Sequence, residues 1–313
     1  MARAAERELT AASFAALAGQ LRSRVPWGPR DRRGALNYIT PQRVAAAAGE
    51  VRQGRTVSMA VPVAEAASAD NPEPAVHEMR TIPDGSDGAQ GLAFATDRLA
   101  MNIHGDASSH IDALCHVSYD GMMYNGVRAG EAVMASGAAQ LSIAAAKDGI
   151  VGRGVLLDIP RVRNVAWLQP GEHVTADDLA AAEAAEQVRL GPGDLAFVRV
   201  GHRRRRHELG PWDVAQARAG LHPLALEFLA DRQVAVLGSD SNNDTAPSAV
   251  PGVDFPVHVL AIAVLGLHLL DYLQFGELGE ACERAGRWSF LCVIAPLRLV
   301  GGTGCPVNPI AIL

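Results

Sequence analysis

Short apolar runs alternate along the chain with longer segments whose apolar residues recur at helical spacing. Apolar runs bounded by turn residues predict strands, and the helical spacing predicts amphipathic helices. Strands are predicted at residues 56–61, 92–103, 155–159, 194–200, 234–238 and 288–296. Helices are predicted at residues 1–22, 41–53, 175–188, 224–229 and 277–285, and residues 258–270 are predicted to form a helix followed by a turn into a short strand.

This alternation of strands and helices predicts an α/β fold. No Gly-X-Gly-X-X-Gly turn and no phosphate loop occurs in the sequence, so the fingerprint of a nucleotide-binding protein is missing. Thr40 precedes a proline, and Thr175 precedes Asp178 by three residues, which are N-terminal capping patterns. Residues 64–91 are rich in Ala, Pro, Asp, Glu and Gly, and we expect a long irregular loop there that closes over a substrate.

The composition of the 313 residues, 49% hydrophobic and 20% charged, allows a full hydrophobic core. We expect one domain over residues 1–313, with an N-terminal helical extension over about residues 1–55. No apolar run reaches the roughly 18 residues that cross a bilayer, and the N-terminus lacks the apolar core of a signal peptide. The 4 cysteines are scattered and form no Cys-X-X-Cys pair, so we expect a reduced, cytoplasmic protein without membrane contact.

The net charge of -6 argues against nucleic acid as a partner. One basic run interrupts the acidic balance, from Arg203 to Arg206, with a histidine on each side. We expect this run to be a solvated loop. Contact with another subunit, or with an anionic group of a substrate, is the alternative interpretation.

The segment of residues 103–116 concentrates side chains that bind divalent metals. His110 and Asp112 lie two residues apart and would point to the same face of a strand. His104 and Asp106 share that parity, so an extended segment would present a row of nitrogen and oxygen ligands to one cavity. The cluster favours a metal site, in which a bound ion lowers the pKa of water toward neutrality. A polar surface loop without a metal is the alternative.

His116 lies at the end of the same segment and shares the parity of Asp112. It is a candidate for a further ligand, or for a free imidazole that moves protons beside the metal. Its neighbour Cys115 would point to the opposite face of a strand, so a Cys-His dyad is not favoured. We interpret Cys115 as a small buried side chain. No Gly-X-Ser-X-Gly elbow for a serine nucleophile is present.

Two further candidates for the site lie far away in sequence, His258 and Asp271. They stand at the two ends of an apolar segment, where polar groups are well placed to face a shared site, although each alone also fits a surface or capping role. Asp240 and Asp244 follow a predicted strand end, where the sites of α/β proteins gather. Loops rich in Asn and Asp also form ordinary turns, which is the alternative for these two residues.

The His/Asp segment resembles a family motif. Residues 106–116 are similar to His-X-Gly-Thr-His-X-Asp-X-Pro-X-His of the metal-dependent cyclase family of hydrolases, which includes bacterial kynurenine formamidase, isatin hydrolase and trans-dienelactone hydrolase. The likeness extends over nearly the whole chain, and the other segments that fit are residues 27–41, 124–126, 153–158, 193–200 and 296–309. The resemblance to the longer members of this family implies a mixed-sheet, barrel-like fold with helices packed around it.

The resemblance also implies roles for single residues. His110 and Asp112 fall on metal ligands of the family, and His116 falls on its proton donor and acceptor. A distal His and Glu of the family fall on His258 and Asp271, where the aspartate is shorter by one methylene.

The match departs from the motif at its first histidine, because Asp106 stands in that place. Either Asp106 takes over as an oxygen ligand, or His104 reaches in from a longer loop. The resemblance therefore implies zinc or manganese as the cofactor, as a single ion or as two ions bridged by Asp112.

The activity implied by the resemblance is a metal-dependent hydrolysis of an amide bond, N-formyl or cyclic, or of a lactone bond. The substrate would be a small, aromatic or cyclic metabolite, and the protein would form a homo-oligomer, a dimer or a tetramer, by analogy with the family. The alternative is a catalytically degraded member of the family that binds a small ligand without turnover.

Overall fold

A nine-stranded mixed sheet that curls into a half-barrel organises the fold. The computed structural model describes residues 9–83 and 92–313. The strands are β1 (Thr56–Ser58), β2 (Val76–Thr81), β3 (Thr96–Ala100), β4 (His110–Asp112), β5 (Val133–Met134), β6 (Gly137–Ala138), β7 (Ile150–Asp158), β8 (His173–Val174), β9 (Leu195–Arg199), β10 (Gly220–Leu221), β11 (Val236–Ser239), β12 (His268–Asp271), β13 (Ser289–Ile294), β14 (Gly304–Pro306) and β15 (Ile310–Ile312).

Helices pack around this sheet, which confirms the α/β mixed-sheet class expected from the sequence. The α-helices are α1 (Ala11–Ser23), α2 (Pro41–Ala47), α3 (Ala129–Ala132), α4 (Ile159–Arg163), α5 (Ala176–Ala185), α6 (His202–Leu209), α7 (Ala225–Arg232), α8 (Pro256–His258) and α9 (Gly276–Ala285). A π-helix (Val259–Leu265) continues α8, and short 3-10 helices lie at Gly34–Tyr38, Ala48–Glu50, Tyr124–Gly126 and Ile143–Ala146. Within the described ranges, none of the helices combines the length and the apolar character needed to cross a bilayer.

The strand order in the large sheet is β1-β15-β13-β7-β9-β11-β12-β4-β14. The four strands β7, β9, β11 and β12 run parallel to their neighbours in this group, and the outer strands are antiparallel. The parallel strands are buried almost throughout, as expected for a sheet covered on both faces. Because their carboxyl ends meet at one edge, polar residues that follow several strands are brought together there.

Capping residues set the starts of three helices. Thr10 and Thr175 each form a capping box with the residue three positions later, and Thr40 accepts a hydrogen bond at the start of α2. The predicted caps at Thr40 and Thr175 are therefore confirmed.

Helix α1 packs on the π-helix and α2 packs on β7, so the N-terminal region lies against the sheet layer. Of the helix predicted at residues 1–22, residues 1–8 lie outside the described residues.

The expectation of an irregular loop over residues 64–91 was wrong for part of this stretch. Residues Val76–Thr81 form β2, which pairs with β3 as an antiparallel hairpin. Charged side chains occupy both faces of this hairpin and apolar ones are exposed among them, so the sequence shows no alternation that would reveal a strand. Residues 84–91 lie outside the described residues.

The basic run was also misassigned, because Arg203 to Arg206 lie in helix α6 and not in a loop. Arginine is a good helix former, and the run divides between two sides of the helix. Arg204 pairs with Glu208 one turn away on the surface, whereas Arg206 is paired with Asp70. Arg203 is turned toward the carbonyl groups after β12.

Candidate metal centre

The candidate site lies where two strands that are remote in sequence pair in the sheet. In the sheet, Asp271 at the end of β12 lies opposite His110 at the start of β4. The expectation of a long extended segment with ligands in a row was wrong, because β4 contains only His110 to Asp112. His104 comes from turns before the strand and folds back onto it.

A first group of ligand atoms is formed by His104, His110 and Asp112, all within 4.8 Å of one another. The Nδ1 atom of His104 lies 2.8 Å from Oδ1 of Asp112. The Nε2 atom of His110 lies 3.6 Å from the same oxygen. His110 and Asp112 are buried, and His104 is partly exposed, which leaves this side of the group open.

A second group is formed by Asp112, His258 and Asp271, again within 4.8 Å of one another. The Nε2 atom of His258 lies 3.4 Å from Oδ2 of Asp112 and 3.4 Å from Oδ2 of Asp271. All three side chains are buried. Asp112 belongs to both groups, one oxygen facing each, so the two groups form one centre.

Hydrogen bonds hold the rings of two of these histidines in a fixed orientation. The Nδ1 atom of His258 donates to Oδ2 of Asp244 at 2.6 Å, and that of His110 donates to the carbonyl of Ser108 at 2.9 Å. Each ring in its neutral form then carries its lone pair on Nε2, which faces Asp112. Such a second partner is typical of metal-binding histidines, because it sets both the tautomer and the orientation of the ring.

Three polar residues that follow β11 support the centre, and of these the sequence offered only Asp244 as a candidate, with an ordinary turn as the alternative. Asn242 and Asn243 donate from their side-chain amides to the two oxygens of Asp271, at 2.8 Å and 2.6 Å. Asp244 also accepts the backbone N–H of His258 at 2.9 Å. The sequence signal for these residues is a run of polar residues directly after β11, but ordinary turns have the same composition.

The electrostatics of the centre favour a cation. Burial alone would raise the pKa of Asp112, but the imidazoles of His104 and His258 beside it hold that pKa well below its usual value. Burial alone would lower the pKa of His258, yet Asp271, Asp112 and Asp244 hold it well above its usual value. The negative charge of the buried carboxylates around His258 therefore exceeds the single positive charge that its imidazole can supply.

The donor set fits a divalent metal ion. It consists of imidazole nitrogens and carboxylate oxygens, which suit zinc and manganese. The Oδ2 atom of Asp112 is buried and has no hydrogen-bond partner among the described residues, although it faces His258. A buried oxygen in that condition is costly unless a cation or a donor completes its coordination.

His116 lies beside both groups without joining either of them. Its ring stacks on that of His104 at a centroid distance of 3.7 Å and lies 6.4 Å from the ring of His258. Burial lowers the pKa of His116 to about 4, so its imidazole is neutral near pH 7. The neighbouring Cys115 is buried, and burial raises the pKa of its thiol to about 11.

Asp106 and His104 were the two alternatives for the first motif position. The structure places His104 in the first group, whereas Asp106 accepts a hydrogen bond of 2.6 Å from the hydroxyl of Tyr272. Among the described residues, Asp106 is in neither group. The Nε2 atom of His104 lies 2.9 Å from the hydroxyl oxygen of Thr303, which helps to hold the ring in place.

Comparison with known proteins is consistent with this architecture. The model of the family described as "Putative cyclase" matches residues 57–243, which is more than half of the chain. A solved structure described as a novel cyclase has 31% sequence identity, with a TM-score of 0.83 over 93% of this chain and 99% of that chain. The chain therefore belongs to the cyclase family. No curated protein matches it.

More distant solved structures share the fold. Isatin hydrolase A from Labrenzia aggregata has 21% identity and a TM-score of 0.58, covering 86% of this chain and 97% of that chain. A predicted metal-dependent hydrolase from Bacillus stearothermophilus has 17% identity and a TM-score of 0.51, covering 82% of this chain and 97% of that chain. At these identities the likeness concerns the fold alone.

Proposed function

We propose that this cyclase-family protein is a metal-dependent hydrolase that cleaves an amide bond, N-formyl or cyclic, or a lactone bond of a small aromatic or cyclic metabolite. The observation that carries the proposal is the pair of His/Asp groups that share Asp112. Hydrolases occur among the proteins that share the fold, including isatin hydrolases and a predicted metal-dependent hydrolase. Buried ligand atoms on a rigid sheet edge suit catalysis, because they need no rearrangement to act.

The residues proposed to hold zinc or manganese are the members of the two groups, namely His104, His110, Asp112, His258 and Asp271. When bound, such an ion lowers the pKa of water and polarises a carbonyl oxygen. Asp244, Asn242 and Asn243 keep the ligands oriented through the hydrogen bonds described above. Asp106 is assigned no metal in this proposal, because its carboxylate is engaged by Tyr272.

His116 is the proposed proton carrier of the reaction. A neutral imidazole can take a proton from water and return it to the leaving nitrogen or oxygen. Among the described residues, no hydrogen bond engages the ring of His116, so its nitrogens are available. Its stacking on His104 holds the ring beside the metal ligands without making it one of them.

The test combines metal analysis with a substrate screen. Elemental analysis of the purified protein should find zinc or manganese near stoichiometry, and the measured ratio decides between one ion and two. N-formyl anilines, isatins and lactones should include a substrate whose turnover is lost with a chelator and restored by the metal. A protein that binds metal but turns over none of these compounds would favour the ligand-binding alternative.

Substitution of His116 tests the proton role separately. His116→Gln should retain the metal and lose most of the turnover, about a hundredfold or more, because general acid–base catalysis contributes roughly that much. Added imidazole should restore part of the rate. His207→Gln, at an exposed position on α6, should leave turnover unchanged and serves as the matched control. Full activity of His116→Gln would remove the proposed role.

We further propose that the protein is a homo-oligomer. Apolar side chains are exposed on and beside the β2–β3 hairpin, and such patches commonly mark subunit contacts. The exposed residues there are Val76, Met79, Ile82, Leu92, Phe94 and Leu99. Light scattering of the purified protein should give the mass of a dimer or tetramer, and a monomer at all concentrations would exclude this assembly.

A further inference from the structure

A cleft lies at the same sheet edge as the candidate metal centre. This cleft has a volume of about 840 Å³ and opens beyond the carboxyl ends of β7, β9 and β11. Asp158, Arg199 and Asp240, which stand at those strand ends, line it. The residues of the two metal-ligand groups do not line it, so the cleft is separate from the metal centre. In α/β sheets, the carboxyl ends of parallel strands are the usual place for a ligand.

Several charged groups in the cleft already have partners. Arg199 donates to Asp158 at 2.7 Å, and Arg204 donates to Glu208 at 2.7 Å. The carboxylate of Asp240 accepts the backbone N–H groups of Val200 and Gly201, at 2.6 Å and 3.0 Å. Arg199 and Arg204 are thereby paired within the protein, whereas Asp240 is held by uncharged backbone donors.

Two arginines that line the cleft, Arg161 and Arg203, form no salt bridge in the part of the chain that the structure describes, although Asp240 lies near enough to Arg203 to attract it. Arg203 donates from Nη2 to the carbonyl of Tyr272 at 2.5 Å and from Nε to that of Leu273 at 3.2 Å. The Nη1 atom of Arg203 makes no hydrogen bond to these carbonyl groups. It is also not one of the buried atoms that lack a hydrogen-bond partner. Arg161 lies over the ring of Trp288, with 5.1 Å between its guanidinium carbon and the ring centroid.

This arrangement leaves two guanidinium groups in the wall of the cleft, that of the half-buried Arg203 and that of the exposed Arg161. Burial lowers the pKa of Arg203 to about 10, so the guanidinium remains charged at neutral pH. Three backbone carbonyl oxygens, those of Ala107, Tyr272 and Leu273, accept hydrogen bonds from Arg203 but contribute no negative charge. A guanidinium presents a planar fork that matches an oxyanion, and partial burial strengthens that interaction over its value in water.

We propose that the cleft binds a small organic monocarboxylate with an apolar or aromatic body, held by Arg161 and Arg203. The walls include Pro62, Phe275 and Trp288, which offer apolar surface for the body of such a molecule. Carboxylates on the rim, among them Glu280 and Glu283, disfavour an anion of higher charge. The cleft volume is within the range of small-molecule sites.

The inference does not depend on the proposed hydrolysis, because neither arginine belongs to the metal centre. It is tested by calorimetric titration of the metal-loaded protein with benzoate at low salt. Benzoate should bind saturably, and Arg161→Ala should weaken this binding by about tenfold, the effect of losing a charged hydrogen bond. Arg22→Ala, which removes an equal charge from an exposed position on α1 outside the cleft, should have no effect.

Further measurements decide between the remaining outcomes. Since a carboxylate also binds metals, binding that survives in Arg161→Ala is attributed to the metal centre, and only the part that is lost supports the cleft. Crystals soaked in benzoate should show it between Arg161 and Arg203. Equal affinity of the wild type and Arg161→Ala, or absence of saturable binding, would overturn the proposal. Tighter binding of inorganic phosphate than of benzoate would overturn the choice of a carboxylate.

Discussion

At the scale of single residues, the proposed metal centre depends as much on the hydrogen-bond partners of the candidate ligands as on those ligands themselves. Asp244 holds His258 by two hydrogen bonds, one to the ring and one to the backbone. We therefore predict that Asp244→Asn lowers metal affinity by roughly tenfold to a hundredfold, the usual cost of losing such a partner. Titration of the metal-free variant with zinc or manganese measures the change.

The control for this variant is Asp148→Asn, which alters an exposed aspartate. It should bind metal as the wild type does. An Asp244→Asn protein that folds normally and keeps wild-type affinity would show that the tautomer of His258 is set in another way.

His110 and Asp112 could be predicted from the sequence because they fall in a family motif, whereas the partners of these side chains could not. The sequence predicts His110, Asp112, His258 and Asp271 as candidates, and the structure brings them together. In the sequence, Asp244 follows a predicted strand end but is equally well explained as a turn residue. Its role depends on which strand ends lie side by side, and a linear sequence does not contain that information.

A buried histidine outside the centre gives a pH prediction. Burial lowers the pKa of His268 to about 4, and neither ring nitrogen has a hydrogen-bond partner within the described chain. The folded pKa lies below the unfolded one, so the unfolded chain takes up the proton first as the pH falls. The contribution of the neutral His268 side chain to the free energy of unfolding is therefore present above pH 6.5 and is lost as the pH falls from about 6.5 to 4.

We predict that His268→Leu removes this part of the pH dependence. The free energy of unfolding of the wild type should fall by about 2 kcal/mol more than that of the variant between pH 7.5 and pH 5. Urea unfolding at the two pH values measures the difference. His207→Leu, at an exposed position, should follow the wild type. A pH dependence unchanged in His268→Leu would contradict the low pKa.

At the scale of elements, the sequence predicted existence and type better than extent. The buried strands and capped helices were found because their patterns are local. Strand β4 is only three residues long, and its length is set by pairing with β12 and β14 on either side. The helix at residues 258–270 was predicted, but its π-helical continuation after His258 was not, since that feature depends on packing.

The close contact between β14 and β4 gives a prediction for the site. A Cβ atom on Gly304 would collide with the carbonyl oxygen of Ile111 and lie 2.9 Å from Cε1 of His104. We predict that Gly304→Ala displaces β4 or His104 and lowers metal affinity at least several-fold. Gly276→Ala, where a Cβ meets nothing within 4 Å, is the control. Metal titration of both variants checks this, and equal affinities would show that the strands adjust without moving the ligands.

At the scale of the whole molecule, the centre joins parts of the chain that are far apart in sequence. His104 and Asp112 come from before the central strands, whereas His258 and Asp271 come from after most of them. A cation bound between these parts binds the native state and not the unfolded chain. It should therefore stabilise the fold by mass action, by about 4 kcal/mol when the free metal is a thousandfold above its Kd.

Metal removal is accordingly expected to lower the thermal midpoint of unfolding by several degrees. Without the proposed cation, Asp112, Asp244 and Asp271 surround His258 with more negative charge than its imidazole balances. Differential scanning calorimetry with a chelator, followed by added zinc, manganese or magnesium, measures the effect. Zinc or manganese should restore the midpoint, and magnesium should not, because imidazole ligands suit it poorly.

Asp271→Asn should show a smaller response to the chelator than the wild type. A midpoint that is unchanged by the chelator in a protein shown to lose its metal would mean that the His/Asp cluster is stable without a cation.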